Sequence, residues 1–214
     1  MKNLYYIAIE GPIGVGKTSL SKLMSKKLGA RLVLEEFEDN PFLPDFYKDP
    51  ERYSFQTQLF YLLQRYRQQQ ELRQVDMFQK LLVTDYMFVK DRLFASLNLN
   101  EKEMQLYDTV ANLLERNIIK PDLVIYLQAD TDTLMGNISK RGREMENDIT
   151  YEYIDALSQV YTEYFFRYQD TPLVIINTNN IDFVNNENDL NEVIQYIRQP
   201  VSGTKFFNPV SGLK

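Results

Sequence analysis

The residues with the clearest chemical meaning form a glycine-rich segment close to the start of the chain. Residues 11–18 read Gly-Pro-Ile-Gly-Val-Gly-Lys-Thr and fit the pattern G-x-x-x-x-G-K-[ST] in full. Glycines in such a loop let successive backbone N–H groups point inward, and the following helix N-terminus adds partial positive charge. Lys17 would then reach the β- and γ-phosphates of a nucleoside triphosphate, and Thr18 would ligate Mg²⁺. The alternative is a simple glycine turn with an exposed lysine.

Acidic residues follow two other short apolar runs. Glu35 and Glu36 come after residues 31–34, and Asp85 comes after residues 81–84. Ligands of open α/β sheets bind beyond the carboxyl ends of the strands, so these acids fall on the functional edge. Asp85 is either a second Mg²⁺ anchor or a helix cap. The glutamates are either functional or a solvated pair, and the alternation of an extended chain lets only one of them face a cleft.

Two residue types are absent from the sequence. The chain contains no cysteine and no histidine. Disulfides, thiolate nucleophiles and cysteine-ligated zinc are therefore excluded. A general base must be a carboxylate or, less plausibly, a lysine or tyrosine. Glu35 is the first choice, with Glu36 in reserve.

A cluster of cations lies further along the chain. Residues 140–146 read Lys-Arg-Gly-Arg-Glu-Met-Glu. Arginines around a central glycine are typical of a mobile lid that closes on phosphates. The same residues would also suit a basic helix terminus with a glycine C-cap.

Composition limits the remaining functions. The chain has 214 residues, of which 44% are apolar and 25% charged, with a net charge of −6. These values fit one globular domain, and the acidic balance argues against a nucleic-acid partner. No apolar run approaches membrane-spanning length and the first residues do not resemble a signal sequence, so we expect no membrane contact and a cytoplasmic location.

Five apolar runs that alternate with helical patterns predict the fold class. We expect an α/β fold whose five-stranded parallel sheet has helices on both faces. The predicted strands are residues 4–9, 31–34, 81–84, 122–128 and 172–176. We expect a single domain over residues 1–198, followed by a tail over 199–214 whose Phe206–Phe207 pair docks on the protein.

Three helices carry further predictions. A helix from Pro50 to about residue 80 should bury an apolar stripe of Phe55, Leu59, Leu62, Leu63 and Tyr66, with Gln58 and Arg65 offset from it. Residues 101–119 are apolar almost all round, which predicts a central helix or a subunit interface. Residues 151–168 form an aromatic-rich helix, expected in the core or at a dimer contact. The stretch 177–188 reads as a polar connection.

The sequence argues against two classes of phosphate-loop protein. A GTP-dependent switch would need D-x-x-G and N-K-x-D motifs, and neither is present. A mechanical or transport ATPase would normally be larger. A small kinase remains, with acids at strand ends and an arginine lid.

At this level of detail the sequence resembles the deoxynucleoside kinases over nearly the whole chain, to about Arg198. Four segments carry the resemblance in order: residues 10–18, 35–42, 50–58 and 140–146. The resemblance implies ATP and Mg²⁺ as cofactors, a deoxynucleoside as acceptor and a homodimer. The open alternatives are a nucleoside-monophosphate kinase of the thymidylate type and a nucleotide-binding regulator without turnover.

The resemblance also implies roles for the acceptor site. Glu35 matches the base that acts on the 5′-hydroxyl. Gln58 matches the residue that pairs with the nucleobase edge, with Arg65 and Asp91 as polar neighbours.

Further roles concern the sugar, the lid and the metal. Tyr47 and Glu146 match the groups that hold the 3′-hydroxyl, and Arg141 and Arg143 match the lid cations. Asp85 matches the acid of the family's D/E-R-S triplet near Mg²⁺. The predicted nucleotide-binding set is Gly11, Gly14, Val15, Gly16, Lys17, Thr18, Ser19 and Arg141.

Two departures from the family pattern matter. The triplet reads Asp85-Tyr86-Met87, so its arginine is missing, and either Tyr86 or a lid arginine replaces it. A tyrosine there resembles the bacterial branch that acts on purine deoxynucleosides, and we therefore expect deoxyadenosine or deoxyguanosine as substrate. Asn137 stands where many relatives carry another lid arginine, which leaves more of the charge stabilisation to Arg141 and Arg143.

Overall fold

A computed structural model of the protein describes residues 6–36, 40–72, 81–199 and 201–208. Within these ranges, six strands form one sheet in the order β2-β3-β1-β4-β5-β6, and each neighbouring pair is parallel. The strands are β1 (Tyr6–Glu10), β2 (Arg31–Val33), β3 (Leu82–Thr84), β4 (Leu123–Gln128), β5 (Leu173–Asn177) and β6 (Thr204–Phe207). The predicted α/β class is confirmed, with one strand more than expected.

Helices connect the strands. They are α1 (Lys17–Leu28), α2 (Leu43–Phe46), α3 (Pro50–Leu72), α4 (Lys90–Asn98), α5 (Glu101–Glu115), α6 (Thr131–Arg141), α7 (Tyr151–Arg167) and α8 (Glu187–Arg198), with a 3₁₀ turn at Glu144–Glu146. None of the described helices is long and apolar enough to cross a membrane.

The sheet is covered on both faces because its central strands are apolar on both sides. In β1, Ile7 and Ile9 point to a cluster that includes side chains of α1, α6 and α8. Tyr6 and Ala8 point to the opposite cluster, which contains side chains of α3, α4 and α7. This is the arrangement expected for a parallel sheet with right-handed helical crossovers.

The helix α7 belongs to the core, as one of the two interpretations predicted. Tyr161 and Phe165 are buried, and the ring of Phe165 stacks on Tyr126 of β4 at a centroid distance of 4.4 Å. The aromatic content of α7 is therefore used to fill the space under one face of the sheet.

The helix α5 is not central. It packs outside α3 and α4 through Tyr107 and Ala111, while Leu106 and Leu113 remain more than half exposed. The all-round apolar pattern therefore does not correspond to a buried helix, and the interface interpretation stays a prediction.

The helix α3 buries a different face from the one predicted. Of the expected stripe only Leu62 is fully buried, and Leu63 is 41% exposed. The buried positions are Ser54, Thr57, Gln58, Leu62, Arg65, Gln68, Gln69 and Leu72. The prediction was wrong because Thr57, Gln58 and Arg65 on the buried face line a polar cleft, while Phe55 and Leu59 of the expected stripe are only partly buried. The predicted continuation to residue 80 lies outside the described residues.

The described part of the tail forms β6. It pairs with β5 from Leu173↔Thr204 to Ile176↔Phe207, and the ring of Phe207 packs on Tyr196 of α8. The tail docks, as predicted, but it does so as a sixth strand that extends the sheet. Its backbone hydrogen bonds, rather than the phenylalanine pair alone, hold it there.

Candidate active site

A cleft of about 690 Å³ opens at the carboxyl ends of the strands. Its walls are residues 13–19, Glu35 beyond the end of β2, the inner faces of α3 and α4, the lid 140–146 and the loop 178–185. Almost all of the predicted site residues line it; Gly11, Asp85 and Tyr86 lie behind the wall. The topology therefore brings together segments that are up to 170 residues apart.

The glycine loop adopts a conformation that needs glycine. Gly14 has φ 87°, and a Cβ atom there would lie 2.5 Å from the backbone oxygen of Leu134. At Gly11 the corresponding atom would lie 2.4 Å from the oxygen of Leu127. The loop is therefore pressed against β4 and α6, with its backbone turned toward the cleft.

The Lys17 ammonium bends back over this loop. Its Nζ donates to the oxygens of Gly11 and Pro12 at 2.7 and 2.9 Å. Burial, together with repulsion from Lys90, lowers the pKa of Lys17 to about 8. An anion placed in the loop would offset both effects by pairing with the ammonium, as the phosphate interpretation of this segment requires.

Thr18 and Asp85 meet as the sequence predicted. The Thr18 hydroxyl donates to Oδ2 of Asp85 at 2.5 Å, and the backbone N–H of Glu35 donates to Oδ1 at 2.8 Å. Asp85 is therefore not a helix cap. Mg²⁺ in kinases takes one or two protein oxygens and completes its shell with phosphates and water, and this pair fits that requirement. Among the described residues no larger acidic cluster could hold a metal.

The Glu35 carboxylate lies inside the cleft and is held by two cations. Arg65 contacts its Oε1 and Lys90 its Oε2, and the side chain is 11% exposed. Burial alone would raise the pKa of Glu35, but the charges of Arg65 and Lys90 outweigh it and hold that pKa well below its usual range. Glu36 is exposed. Only one of the two glutamates therefore faces the cleft, as expected from the alternation of side chains along an extended backbone.

The charges around Glu35 continue in a chain of ion pairs. Arg65 also pairs with Asp91, which follows Lys90 on the first turn of α4. The chain Lys90–Glu35–Arg65–Asp91 contains two cations and two anions, so its net charge is zero. Such buried charges persist only when each has a partner.

Gln58 lies seven residues, or about two helical turns, before Arg65 in α3 and is 2% exposed. Its Oε1 has no hydrogen-bond partner within the described residues. A buried amide that faces a cleft with an unused acceptor is suited to a ligand with a polar edge.

Tyr86 does not replace the missing arginine by hydrogen bonding. It is fully buried, and its hydroxyl has no partner in the part of the chain that the structure describes. Its ring instead lies 5.8 Å from the Arg65 guanidinium carbon, within range of a cation–π contact. The cation that contacts the second oxygen of Glu35 is Lys90, a residue for which the sequence predicted no role. Tyr86 lies before α4, which begins at Lys90, so helical spacing gave no signal for this pairing.

The lid arginines are gathered by an acid. Arg141 donates to Glu146 through Nε at 3.1 Å and Nη2 at 2.5 Å, and Arg143 lies 3.5 Å from the same carboxylate. Burial raises the pKa of the Tyr47 phenol well above its usual value, with Tyr153, Tyr61 and Glu146 adding to the shift. Tyr47 and Glu146, expected to share one substrate hydroxyl, therefore lie in one neighbourhood.

Asn137 has a local structural task. Its amide donates to the backbone oxygen of Gly14 at 2.9 Å. It therefore ties α6 to the glycine loop, and its short side chain cannot extend to where an arginine would. Where many relatives carry a lid arginine, this chain therefore has an asparagine that is hydrogen-bonded to the glycine loop.

The loop between β5 and α8 is a further wall that the sequence analysis missed. Residues 178–185 line the cleft beside the glycine loop. Phe183 is 5% exposed, and its ring would lie 3.0 Å from a Cβ atom at Gly16. The apolar pair Phe183–Val184 inside a polar stretch was the signal that this segment is not a simple connection.

Comparison with protein families gives a match over most of the chain. A family model described as deoxynucleoside kinase matches residues 7–202. This range includes all the walls of the cleft.

Individual relatives agree with this match. The chain is 32% identical to the deoxyguanosine kinase of Bacillus subtilis, over 93% of this chain and 99% of the relative. It is 33% identical to the deoxyadenosine kinase of Lactobacillus acidophilus, over 89% of this chain and 94% of the relative. The deoxyadenosine kinase of M. mycoides, solved with dATP, has a TM-score of 0.80 at 26% identity and covers 91% of this chain and 100% of its own.

Proposed function

The chain belongs to the deoxynucleoside kinase family, and on that premise we propose that it transfers the γ-phosphate of ATP to the 5′-hydroxyl of deoxyadenosine or deoxyguanosine. The family assignment makes it an ATP-dependent phosphotransferase. The base preference is the part proposed here. The observation that carries the reaction is the shared cleft, in which Glu35 and Lys17 both lie.

We assign the donor side of the cleft to the triphosphate. Backbone N–H groups of residues 11–18 would cradle the phosphates, and Lys17 would leave the Gly11 and Pro12 oxygens to pair with the β- and γ-phosphates. Bound Mg²⁺ supplies charge neutralisation at the phosphates. Thr18 and Asp85 would hold it, since their oxygens already lie 2.5 Å apart.

We assign the acceptor side to the nucleoside. Glu35 would accept the hydrogen bond of the 5′-hydroxyl and take its proton late in a loose transition state. Its low pKa means that it is ionised at neutral pH and ready to accept. A weak base suffices, because the hydroxyl becomes strongly acidic only as its bond to phosphorus forms.

The lid would close over the transferring phosphoryl group. Arg141 and Arg143 are about one third exposed, and both contact Glu146. Glu146 and Tyr47 would in turn hold the 3′-hydroxyl. Binding of the sugar would therefore bring the arginines into place, because they share an acid with it.

The nucleobase would lie against α3 and α4. The amide of Gln58 can donate and accept side by side, which matches the N–H donor and ring nitrogen on a purine edge. Arg65 and Asp91 fix one another and complete the polar wall. The purine preference is also supported by the substrates in the names of the relatives, which include deoxyguanosine and deoxyadenosine.

The direct experiment is a coupled assay of the purified protein with ATP, Mg²⁺ and each of the four deoxynucleosides. We expect kcat/KM for deoxyadenosine or deoxyguanosine to exceed that for both pyrimidine deoxynucleosides by at least about tenfold, since a lost hydrogen bond in a buried polar site costs that much. A faster pyrimidine reaction would overturn the base preference. A preference for dTMP over all four nucleosides would instead indicate a monophosphate kinase.

We also propose that the protein is a homodimer. Leu106 and Leu113, seven residues apart on one side of α5, and Phe166 on α7 are more than half exposed, and an exposed apolar patch is a candidate protein–protein contact. Light scattering at micromolar concentration should give twice the chain mass of 25.3 kDa. A clean monomer would contradict it.

A further inference from the structure

Lys90 is a buried cation for which the motifs of the sequence predict no role. It lies on the first turn of α4, its side chain is 9% exposed, and it lines the cleft. Its ammonium contacts Oε2 of Glu35, and the ring of Phe94 lies 5.6 Å away. A buried ammonium with such a partner is retained for a reason other than solubility.

The two cations on Glu35 hold different oxygens. Arg65 takes Oε1 and is itself fixed from its other side by Asp91. With Arg65 alone, the carboxylate could still pivot about Oε1. Lys90 on Oε2 removes that freedom, since a carboxylate with both oxygens held has one orientation.

The main chain at Glu35 does not fix the carboxylate. Glu35 comes two residues after the end of β2, outside any helix or strand. Its backbone N–H is tied to Asp85, which places the Cα atom but leaves the side-chain torsions open. Side-chain partners must therefore set the direction of the carboxylate.

We propose that Lys90 is a positioning residue for phosphoryl transfer, which holds the second oxygen of Glu35 and so fixes the orientation in which that carboxylate meets the acceptor hydroxyl. This rests on the proposed role of Glu35 as the base. Misorientation of a reacting group by a fraction of an ångström is enough to slow such a reaction strongly. Lys90 also lies near Lys17, whose pKa it helps to lower, so its charge borders the site of transfer as well.

The first test compares Lys90→Met with Lys90→Arg. We expect the methionine variant to lose about thirtyfold to a hundredfold in kcat. Its KM for ATP and for the deoxynucleoside should stay within about threefold, because neither ligand's binding groups are altered. The arginine variant restores the charge with a different shape. Its log kcat should therefore lie above that of the methionine variant by at least about a third of the difference between that variant and the wild type.

A matched control lies on the same helix. Arg92 is two residues further along α4, its side chain is 49% exposed, and it pairs with Asp108 at 3.1 Å. We expect Arg92→Gln to leave kcat within about twofold, as exposed ion pairs contribute little.

The second test uses the absence of cysteine from the chain. Lys90→Cys would introduce a single thiol, which can be alkylated with 2-bromoethylamine. The thiolate sulfur forms a C–S bond, bromide leaves, and an ammonium is restored at a length close to that of lysine. Alkylation of the same variant with iodoacetamide adds a neutral group of similar size and serves as the control. The wild-type protein, which has no thiol, controls for other reactions.

We expect aminoethylation to raise kcat of the Lys90→Cys variant at least about tenfold, and carbamidomethylation to leave it unchanged. This comparison uses one polypeptide before and after reaction, so it does not depend on the methionine variant folding. Equal recovery with the neutral group would overturn the proposal, as would a kcat of Lys90→Met within threefold of the wild type. All rates are measured against the active wild-type protein. An inactive wild type would overturn the proposed function instead.

Discussion

The two halves of the cleft are built by different means. On the donor side the phosphates would meet backbone N–H groups of residues 11–18, whose shape depends on glycines such as Gly14 with its φ of 87°. On the proposed acceptor side the carboxylate of Glu35 is held by side-chain ion pairs with Arg65 and Lys90. The donor side is therefore formed by one continuous segment, whereas the acceptor side depends on side chains from three separate parts of the chain.

The difference has a physical basis. A triphosphate carries the same charges whatever its partner, so a fixed backbone cradle with one lysine suffices to bind it. A hydroxyl must be met by a correctly oriented base beside a selective pocket, which requires side chains from several directions. The four predictions below test this contrast, from the largest expected effect to the smallest.

Loss of the donor-side lysine should have the largest effect. We expect Lys17→Met to lower kcat by about a thousandfold, because one charge that neutralises the transferring group is removed at a buried site. Steady-state kinetics with saturating ATP would measure this. Lys22→Met is a suitable control, as Lys22 is exposed on the next turn of α1. A loss below tenfold would show that the donor half does not depend on this side chain.

Loss of the acceptor-side base comes next. We expect Glu35→Gln to lower kcat by at least about a hundredfold while the protein stays folded. The variant should fold because the amide oxygen can still accept a hydrogen bond from Arg65 or Lys90. Circular dichroism would check the fold. Glu36→Gln, at an exposed position, should be neutral. If the Glu36 variant were the inactive one, the carboxylate would have been assigned wrongly.

The backbone basis of the donor half can be tested with a pair of glycines. Gly14→Ala should lower the free energy of unfolding by at least about 2 kcal/mol, because the positive φ alone costs about 1–2 kcal/mol and its Cβ atom would lie 2.5 Å from the Leu134 oxygen. Gly136→Ala lies inside α6, where a Cβ atom meets nothing within 4 Å. It should raise stability by about 0.5–1 kcal/mol. Urea denaturation would measure both, and similar effects at the two sites would contradict the strained loop.

The smallest effect concerns the helix that supports both the lid and the glycine loop. Asp130 caps α6 by accepting from the Thr133 N–H at 2.7 Å. The side chain and the N–H of Thr133 lower the pKa of Asp130 below its usual 3.8. Asp130→Ala should lower the free energy of unfolding by about 0.5–2 kcal/mol at pH 7, as for other N-caps.

The pH dependence of this effect has a definite sign. A lowered folded-state pKa means that the carboxylate stabilises the fold above pH 3.8, and that this contribution is lost as the pH falls through the folded-state value. The difference between wild type and Asp130→Ala should therefore shrink below about pH 4. Denaturation at pH 7 and pH 3 would measure it. Asp132→Ala, in the same turn but without a cap hydrogen bond, should show a smaller difference at both.

Local features of the sequence predicted much of the molecule. The helix α6 begins and ends at local signals: Asp130 caps its first turn, and Gly142 follows its last residue in a left-handed conformation. The strands β1 and β4 were recognisable from their apolar runs, and most of the residues that the family resemblance implied line the cleft. The roles of those residues stay predictions.

The features that the sequence did not predict correctly all depend on contacts between residues far apart in the chain. The inner face of α3 was misassigned because Gln58 and Arg65 look like solvent-facing residues until the cleft and its counter-charges are known. The pairing of Lys90 with Glu35 joins positions 55 residues apart, and no local pattern reports it. The apolar pairs in the loop 178–185 and in the tail were visible in the sequence, but their partners in β5, α8 and the glycine loop were not.

The amino-acid sequence by itself determined the features that depend on neighbouring residues, which are the glycine loop, the alternation of strands and helices, and the acids at strand ends. Its composition also excluded histidine and cysteine as a general base. What only the tertiary structure decided is which of these groups pair. The energy of a buried charge depends on partners brought close by the fold. The orientation of Glu35 was therefore settled by Arg65 and Lys90, and not by the residues beside it in the chain.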